Sequence, residues 1–213
     1  MSEIPVPFCF DELNDFFSKP PASDIRSGNT LDAGILLPYL VWAFKADICL
    51  EFGVYQAYTS SILMWSMQAV FNNGTLVCFD MDDEALRRAE RIAAHFPLIS
   101  THLVKGVSGK NVVAKTMKRK KIGKAGLAYV DGGHSFKNAY SDLLESLRLI
   151  RSDGVIVAHD YFNKKNYGVV KAVDKLAADH RLQKFIMPHP RGASFAILRR
   201  QVDPAGKHGN KVL

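Results

Sequence analysis

The amino-acid sequence predicts a doubly wound α/β domain with a mostly parallel, seven-stranded sheet and an N-terminal helical cap. Two observations lead to this prediction. From residue 46 onward, short apolar runs alternate with longer segments of helical periodicity, which is the pattern of repeated strand–helix units. Several apolar runs also end in an acidic residue. Because ligands bind beyond the carboxyl ends of parallel strands, those acids mark the edge where a site is expected.

Residues 1–45 predict a cap instead of a separate domain. A helical fragment at 10–17 is followed by a connector rich in Pro, Ser, Gly and Asn at 19–30, and a second helix is expected from Thr30 to about Lys45. Such a cap either covers the mouth of a site or forms a homodimer contact, and the sequence leaves both open.

The first half of the α/β domain, which spans residues 46–200, predicts two complete strand–helix units and a third strand. The helix at 57–71 ends at Asn72-Asn73-Gly74, a typical C-terminal cap. The next helix begins with Asp82-Asp83-Glu84, whose charges complement the helix dipole, and it is closed by Pro97. The strands are expected at 48–51, 75–80 and 99–105.

The second half continues the alternation. A helix with one apolar face follows the fourth strand, and the run Val155–Ala158 is typical of a strand buried on both faces. A short turn containing Pro and Gly joins the last two strands, so at least one of them is expected to be antiparallel. The tail at 201–213 is polar and expected to fray. The elements are a basic helix at 111–121, strand 126–131, a helix bearing Tyr140, Leu143, Leu144, Leu147 and Ile150, strand 154–160, helix 168–180, and strands 181–188 and 194–199.

Composition restricts the class of protein. The 213 residues suit one domain with a sizeable core, and the net charge is +7. The basic residues concentrate at 115–124 and in the tail, but no aromatic residues are interleaved with the lysines, as a stacking platform for nucleic acid would need. We therefore do not expect nucleic acid as a partner. A nucleic-acid-binding or assembly protein with a vestigial cofactor pocket remains the alternative function.

Cysteine usage and hydropathy predict a soluble, cytoplasmic protein without a membrane partner. Cys9, Cys49 and Cys78 are odd in number, and two of them lie in predicted buried strands, which suits reduced thiols. The N-terminus has no basic region typical of a secretory signal. The longest apolar run, residues 34–44, contains Pro38 and is far shorter than the roughly 20 residues that span a bilayer.

Four acids are expected to meet at one edge of the sheet. Glu51 precedes Gly53, where the absence of a Cβ lets a ligand approach the backbone. Asp80 ends the second strand, where a carboxylate can bind a ribose diol, with helix capping as the alternative. Asp131 and Asp160 end neighbouring strands about 4.8 Å apart. Two carboxylates so close either share a proton or bind a hard cation such as Mg²⁺.

A histidine follows one of these acids. Asp131-Gly132-Gly133-His134 places an imidazole just after a Gly-Gly turn at the end of a strand. An ordinary pKa near 6.5 suits proton transfer at neutral pH, so we interpret His134 as catalytic.

Two motifs resemble a known family. Residues 51–60, EFGVYQAYTS, resemble motif I of class I S-adenosyl-L-methionine-dependent methyltransferases, ExGxxxGxST. Residues 130–136, VDGGHSF, with Asp142 and residues 153–161, DGVIVAHDY, resemble the signature DGxHxY…D…GG…DD. That signature marks the group of macrocin-type sugar O-methyltransferases and cephalosporin-hydroxylase-like proteins. The resemblance covers residues 46–161 and implies a Rossmann-like methyltransferase fold that methylates a small-molecule hydroxyl acceptor.

The resemblance also implies a role for each site residue. Asp131 and Asp160 would bind a divalent metal such as magnesium, with His159 as a further candidate ligand, and His134 would be the base. Asp131 would also border the cofactor. The methionine end of the cofactor would contact Glu51, Gly53, Val54 and Tyr55, with Ser60 nearby. Asp80 would hold the ribose. Met81 would lie against the adenine, and Val107 and Ser108 would flank that ring.

Four positions depart from the family pattern. Ala57 replaces a glycine of motif I, Asp153 replaces the first glycine before the fifth strand, and Tyr161 replaces the asparagine of the catechol type. His159 stands where relatives carry a carboxylate, so the metal requirement stays open. Tyr161, with Phe162 and Tyr167, suggests an apolar or ring-containing acceptor. A nicotinamide-dependent oxidoreductase is disfavoured because the first turn lacks GxGxxG.

Overall fold

The structure, a computed structural model, describes residues 30–161, 167–187 and 194–201, with residues 30–32 described by their backbone alone. The helix predicted at 10–17, the connector before Thr30 and the tail from 202 lie outside these ranges. The helices are α1 Thr30–Ala43, α2 Tyr58–Phe71, α3 Asp83–Ala93, α4 Val112–Lys120, α5 Phe136–Leu149 and α6 Tyr167–Asp179. The strands are β1 Ile48–Phe52, β2 Gly74–Asp80, β3 Ile99–Lys105, β4 Ala125–Val130, β5 Ile150–Ala158, β6 Leu182–Met187 and β7 Phe195–Arg200.

The strands form one seven-stranded sheet in the order β3-β2-β1-β4-β5-β7-β6. Strands β1 to β5 pair in parallel, whereas β7 lies antiparallel between β5 and β6. The predicted mostly parallel sheet with an antiparallel closing strand is therefore confirmed. The chain moves outward from β1 to β3 and then returns to β4, so the direction of winding reverses between β1 and β4. Ligands bind at such a reversal in doubly wound sheets.

Helices cover both faces of the sheet. On one face, Cys49 and Leu76 pack in a core with residues of α1, α2 and α3. On the other, the next residues along the same strands, Leu50 and Val77, pack with residues of α4, α5 and α6. Because successive strand residues point to opposite faces, a strand covered on both sides must be apolar throughout. This explains the uninterrupted apolar runs of the sequence.

The boundary between α5 and β5 differs most from the prediction. Ile150 was assigned to the apolar face of a helix, but it opens β5 and pairs with Ala125. A register shift between Ala125 and Leu127 accommodates the additional residues of β5. Ile150 is buried in either arrangement, so helical spacing alone could not distinguish the two.

The described cysteines fit the expectation of reduced thiols, since Cys49 and Cys78 are both buried and free. Cys9 lies outside the described residues. Among the helices of the described ranges, none has the length and apolar character that crossing a membrane requires.

Candidate active site

A cleft of about 740 Å³ opens at the carboxyl ends of the parallel strands. The predicted site residues line it, with two exceptions, Glu51 and Ser60. The predicted residues at its wall are Gly53, Val54, Tyr55, Asp80, Met81, Val107, Ser108, Asp131, His134, His159 and Asp160.

The turn after β1 follows an unusual backbone path. Gly53 has a φ of 93°, Tyr55 a φ of 45° and Ala57 a φ of 59°. A Cβ at Gly53 would lie 2.2 Å from the carbonyl oxygen of Asp131, so only glycine permits β1 and β4 to approach this closely. Ala57 precedes α2 in the left-handed region, which costs about 1 kcal/mol for a residue with a Cβ. The predicted helix at 57–71 therefore begins one residue later, at Tyr58.

Asp80 stabilises this turn. Its Oδ2 accepts hydrogen bonds from the backbone N–H groups of Val54, at 2.7 Å, and Tyr55, at 3.3 Å. The N-cap of α3 is Asp82, whose side chain accepts from the N–H of Glu84, so the helix-capping role belongs to Asp82 and not to Asp80. Asp80 Oδ1 accepts from the backbone N–H of Asp82 at 2.9 Å and keeps one lone pair, so Asp80, which lines the cleft, can still accept from one ligand hydroxyl.

Glu51 and Ser60 are buried together on the α2 side of the sheet. Ser60 Oγ donates to Glu51 Oε2 at 2.5 Å, and Cys78 Sγ donates to the same oxygen at 3.3 Å. Burial raises the pKa of Glu51 to about 8, so its carboxyl group keeps its proton at neutral pH. Contact of either residue with a ligand stays a prediction. In the structure both side chains lie behind the turn that follows β1 and do not line the cleft.

This buried acid predicts a pH dependence of stability. Unfolded Glu51 releases its proton above pH 4.5, whereas the folded protein retains it up to about pH 8. The folded state therefore binds more protons in this window, and Glu51 lowers the unfolding free energy by on the order of 1 kcal/mol per pH unit as pH rises through it. We expect Glu51→Gln to match the unchanged protein at pH 5 and to exceed it at pH 8.

Urea unfolding at pH 5, 6, 7 and 8 measures this difference. Glu90→Gln is the matched control, because Glu90 is exposed on α3. Parallel pH profiles for the Glu51→Gln variant and the unchanged protein would show that Glu51 is ionised in the folded state.

Two acids and two imidazoles form a cluster at the end of β4 and β5. His159 Nδ1 lies 3.1 Å from Asp131 Oδ1. His134 Nε2 lies 3.3 Å from Asp160 Oδ2 and 3.7 Å from Asp131 Oδ1. Asp131 thus stands between the two rings. The cluster reaches solvent through His134, whose side chain is 45% exposed, and through Asp131, which is 30% exposed, whereas His159 is buried.

The carboxylate of Asp131 and the two imidazoles favour each other's charged forms. Burial opposes ionisation of Asp131, but its contacts with His134 and His159 outweigh that effect and hold its pKa below the ordinary value. Contact with Asp131 raises the pKa of His134 above its ordinary value. Burial lowers the pKa of His159, yet Asp131 more than compensates and the net direction is upward. The cluster can therefore hold a carboxylate beside an imidazole that accepts a proton.

Three side chains of this cluster have ligand atoms close enough to share one cation. The atoms belong to Asp131, His134 and Asp160 and lie within 4.8 Å of one another. The predicted set contained His159 in the place of His134. In the structure His159 lies at the buried side of Asp131, where it restricts the orientation of that carboxylate.

The loop that carries His134 is held by α6. A Cβ at Gly168 would lie 2.4 Å from the carbonyl oxygen of His134 and 2.6 Å from the amide nitrogen of Phe136. The backbone at the start of α6 therefore rests directly on the His134 loop, and only glycine allows that approach.

Sequence reasoning missed several residues of the cleft. The most informative is Asp142, which the sequence showed only as part of the family signature, without a role in the site; it is a buried acid on the inward face of α5 whose pKa burial raises to about 7. Its side chain accepts from Ser108 Oγ at 2.9 Å. An acid among apolar residues at helical spacing was the available signal. The other unpredicted residues at the wall include Gln56, Tyr58, Thr59 and Asn138.

Of the aromatic residues suggested as acceptor contacts, Tyr161 and Tyr167 do not line the cleft. The Tyr161 hydroxyl donates to Asp174 at 2.7 Å and accepts from Lys184 at 3.0 Å, which ties the end of β5 to α6 and β6. Tyr167 is exposed at the start of α6, and Phe162 lies outside the described residues.

A family model described as a methyltransferase domain matches residues 50–161, more than half of the chain. A search of curated proteins found no match.

Three solved structures share the fold. An O-methyltransferase from Bacillus cereus in complex with SAH is 16% identical, with a TM-score of 0.63, and the match covers 93% of this chain and 94% of that one. The O-methyltransferase TomG from Streptomyces achromogenes, in complex with SAM, is 17% identical, with a TM-score of 0.60 and coverage of 89% and 87%. CalS11, a TDP-rhamnose 3'-O-methyltransferase, is 15% identical, with a TM-score of 0.65 and coverage of 89% and 91%.

Proposed function

The chain belongs to the methyltransferase domain family, and from this premise we propose that it transfers a methyl group from S-adenosylmethionine to a hydroxyl group of a small molecule. The observation that carries the proposal is the cleft itself. At the reversal of the sheet, it joins a glycine turn and an acid suited to a ribose with a separate acid–imidazole cluster suited to proton transfer. The structural neighbours named above are O-methyltransferases, which agrees with that division.

The donor would lie along the glycine turn. Gly53 admits it close to the backbone, and Asp80 accepts from a ribose hydroxyl. Met81 and Val107 are apolar side chains on the loops after β2 and β3, 70% and 56% exposed, and they line the cleft where a flat base would need apolar contacts. Burying such surface against a ligand contributes about 25 cal/mol per Å².

At the other end of the cleft, His134 would accept the proton of the acceptor hydroxyl. The sulfonium donor supplies an activated methyl group, so the protein's main task is to align oxygen, methyl carbon and sulfur. Asp131 keeps the imidazole oriented and stabilises the positive charge that it gains with the proton. Because His134 is partly exposed, that proton can pass to solvent after the transfer.

The donor atoms near His134 also fit a divalent cation. Two carboxylates and an imidazole whose ligand atoms lie within 4.8 Å of one another are suitable ligands for Mg²⁺ or Mn²⁺. Asp131 and Asp160 would hold the ion, which would lower the pKa of the acceptor hydroxyl. In this proposal His134 stays available as the base.

Titration of the protein with Mn²⁺ separates the two roles of His134. We expect Asp160→Asn to weaken Mn²⁺ binding at least about tenfold, because an amide replaces an anionic ligand. His134→Ala should bind Mn²⁺ as the unchanged protein does. Calorimetry with Glu90→Gln as the control measures both. Equal loss in the Asp160→Asn and His134→Ala variants would make His134 a ligand and remove it as the base.

Binding and turnover test the proposed function itself. We expect calorimetry to show micromolar binding of S-adenosylhomocysteine and none of NAD. With labelled S-adenosylmethionine, a panel of hydroxylated small molecules, including catechols and nucleotide sugars, should contain at least one methylated member. Steeply salt-dependent RNA binding without any affinity for S-adenosylhomocysteine would instead favour the nucleic-acid-binding alternative.

A further inference from the structure

Tyr55 has a strained backbone conformation that its own side chain does not stabilise. Its φ of 45° lies in the left-handed region, which bulky residues rarely adopt. The other two residues of this turn with a positive φ need less support, because Gly53 has no Cβ and Ala57 is buried. The Tyr55 side chain lines the cleft but is 75% exposed, so its packing cannot offset the cost of the conformation. Contacts of the Tyr55 backbone must therefore supply the support.

Both polar groups of the Tyr55 backbone are bound by the strand–helix unit that follows. The N–H donates to Asp80 Oδ2 at 3.3 Å, and the carbonyl oxygen accepts from Arg88 Nη1 at 3.1 Å. Asp80 ends β2, and Arg88 lies in the second turn of α3. Asp80 lines the cleft, whereas Arg88 stands outside the cleft lining. The Tyr55 carbonyl is therefore held from behind the cleft wall.

Glu84 restricts the orientation of the Arg88 side chain. Its Oε1 lies 3.7 Å from Arg88 Nε, one helical turn away, and Glu84 also contacts Arg87 and Arg91. The side chains of Arg87 and Arg91 are 59% and 63% exposed, whereas that of Arg88 is only 30% exposed. A guanidinium presents five N–H donors in a fixed fork, so Arg88 can face Glu84 and the Tyr55 carbonyl at the same time.

The contact with Arg88 fixes the peptide group between Tyr55 and Gln56. In a planar trans peptide the C=O and N–H bonds point in opposite directions, so rotation of this group would reverse both. Without a donor on the Tyr55 carbonyl, such a rotation would relieve the left-handed conformation and change the path of the turn. Because Tyr55 and Gln56 both line the cleft, the shape of the cleft wall depends on this peptide group.

We propose that Arg88 is a positioning residue, which holds the Tyr55 carbonyl and so keeps the turn after β1 in the conformation that binds the methyl donor. The inference rests on the proposed function, because it assumes that the methyl donor lies along this turn. A turn that adopts the binding conformation for only part of the time lowers the apparent affinity by that fraction. Arg88 therefore acts on binding of the methyl donor and not on the transfer step.

Calorimetry with S-adenosylhomocysteine tests this role. We expect Arg88→Met, which keeps a long side chain without its N–H donors, to weaken binding about fivefold, within the range of one hydrogen bond. Steady-state kinetics should show a similar rise in the KM for S-adenosylmethionine, with kcat and the KM for the acceptor unchanged. Arg91→Met is the matched control, because Arg91 also contacts Glu84 on α3, and it should bind as the unchanged protein does.

The Tyr55→Gly variant separates positioning through Tyr55 from a general effect of Arg88 on the fold. Glycine adopts a positive φ as readily as a negative one, so the turn of this variant needs the contact with Arg88 less. We expect Arg88→Met to change the affinity of the Tyr55→Gly protein by no more than about twofold. The same fivefold loss with and without Tyr55→Gly would show that Arg88 does not act through Tyr55.

Amide hydrogen exchange provides a readout that needs no ligand. The Tyr55 N–H, which donates to Asp80, should exchange at least about fivefold faster in Arg88→Met than in Arg91→Met. Undiminished affinity of Arg88→Met, or equal exchange rates in the two variants, would overturn this inference alone. Absence of S-adenosylhomocysteine binding by the unchanged protein would instead overturn the proposed function, and with it the role of Arg88 in binding the methyl donor.

Discussion

The His134→Ala variant is expected to lose about 10³-fold in kcat while binding S-adenosylhomocysteine as tightly as the unchanged protein. General base catalysis typically contributes 10²–10⁴-fold, and His134 is the partly exposed imidazole beside two acids at the cleft. Steady-state kinetics with an acceptor from the hydroxyl panel gives kcat and KM, and calorimetry gives the affinity. His102→Ala is the control, because His102 lies on β3 and contacts Ser100 instead of the cluster.

The pH profile of the same reaction adds a second readout. A base must be unprotonated to act, and contact with Asp131 raises the pKa of His134 above 6.5. We therefore expect kcat to rise with pH and to level off only above that value, and the His134→Ala variant should lack this rise. Undiminished turnover in His134→Ala would remove the assignment of the base.

The Gly53→Ala variant is expected to lose about 2–4 kcal/mol of unfolding free energy and its measurable affinity for S-adenosylhomocysteine. Two effects add: a side chain at a φ of 93°, and a Cβ placed 2.2 Å from the carbonyl oxygen of Asp131. Moving that carbonyl would displace the turn that Asp80 holds and the acid that contacts His134. Urea unfolding and calorimetry measure the two losses.

Gly123 provides the matched control for this substitution. Its added Cβ would meet only Ile48 Cδ1, at the ordinary contact distance of 3.5 Å. We expect Gly123→Ala to change the unfolding free energy by no more than about 0.5 kcal/mol. If Gly53→Ala were as stable as Gly123→Ala and bound the ligand equally well, the first turn would not require glycine.

Much of the fold could be predicted because its signals are local. Buried parallel strands leave uninterrupted apolar runs, and Asp80, Asp131 and Asp160 mark where three of them end. Since the carboxyl ends of parallel strands lie along one edge of a sheet, these acids were expected along that edge for any conformation of the loops. The order of the two motifs also predicted the family, and the match of a methyltransferase domain to residues 50–161 confirms that prediction.

The unpredicted details depend on contacts between distant segments. Both imidazoles approach both acids, since His159 Nδ1 also lies 3.5 Å from Asp160 Oδ1, and the sequence could not show that the three atoms grouped for a cation include His134. Glu51 was expected at the cleft, but strand alternation places it with Cys49 on the α2 side, and sequence alternation does not reveal which face is which. Asp142 becomes part of the cleft only because the loop after β3 brings Ser108 to α5.

The close approach of Gly168 to His134 restricts how the acceptor specificity of this enzyme can be re-engineered. Libraries that vary residue 168 would also shift the proposed base, because any side chain there collides with the loop that carries His134. Gln56 and Tyr58 line the cleft on a different segment, between β1 and α2, and are the better positions at which to introduce diversity.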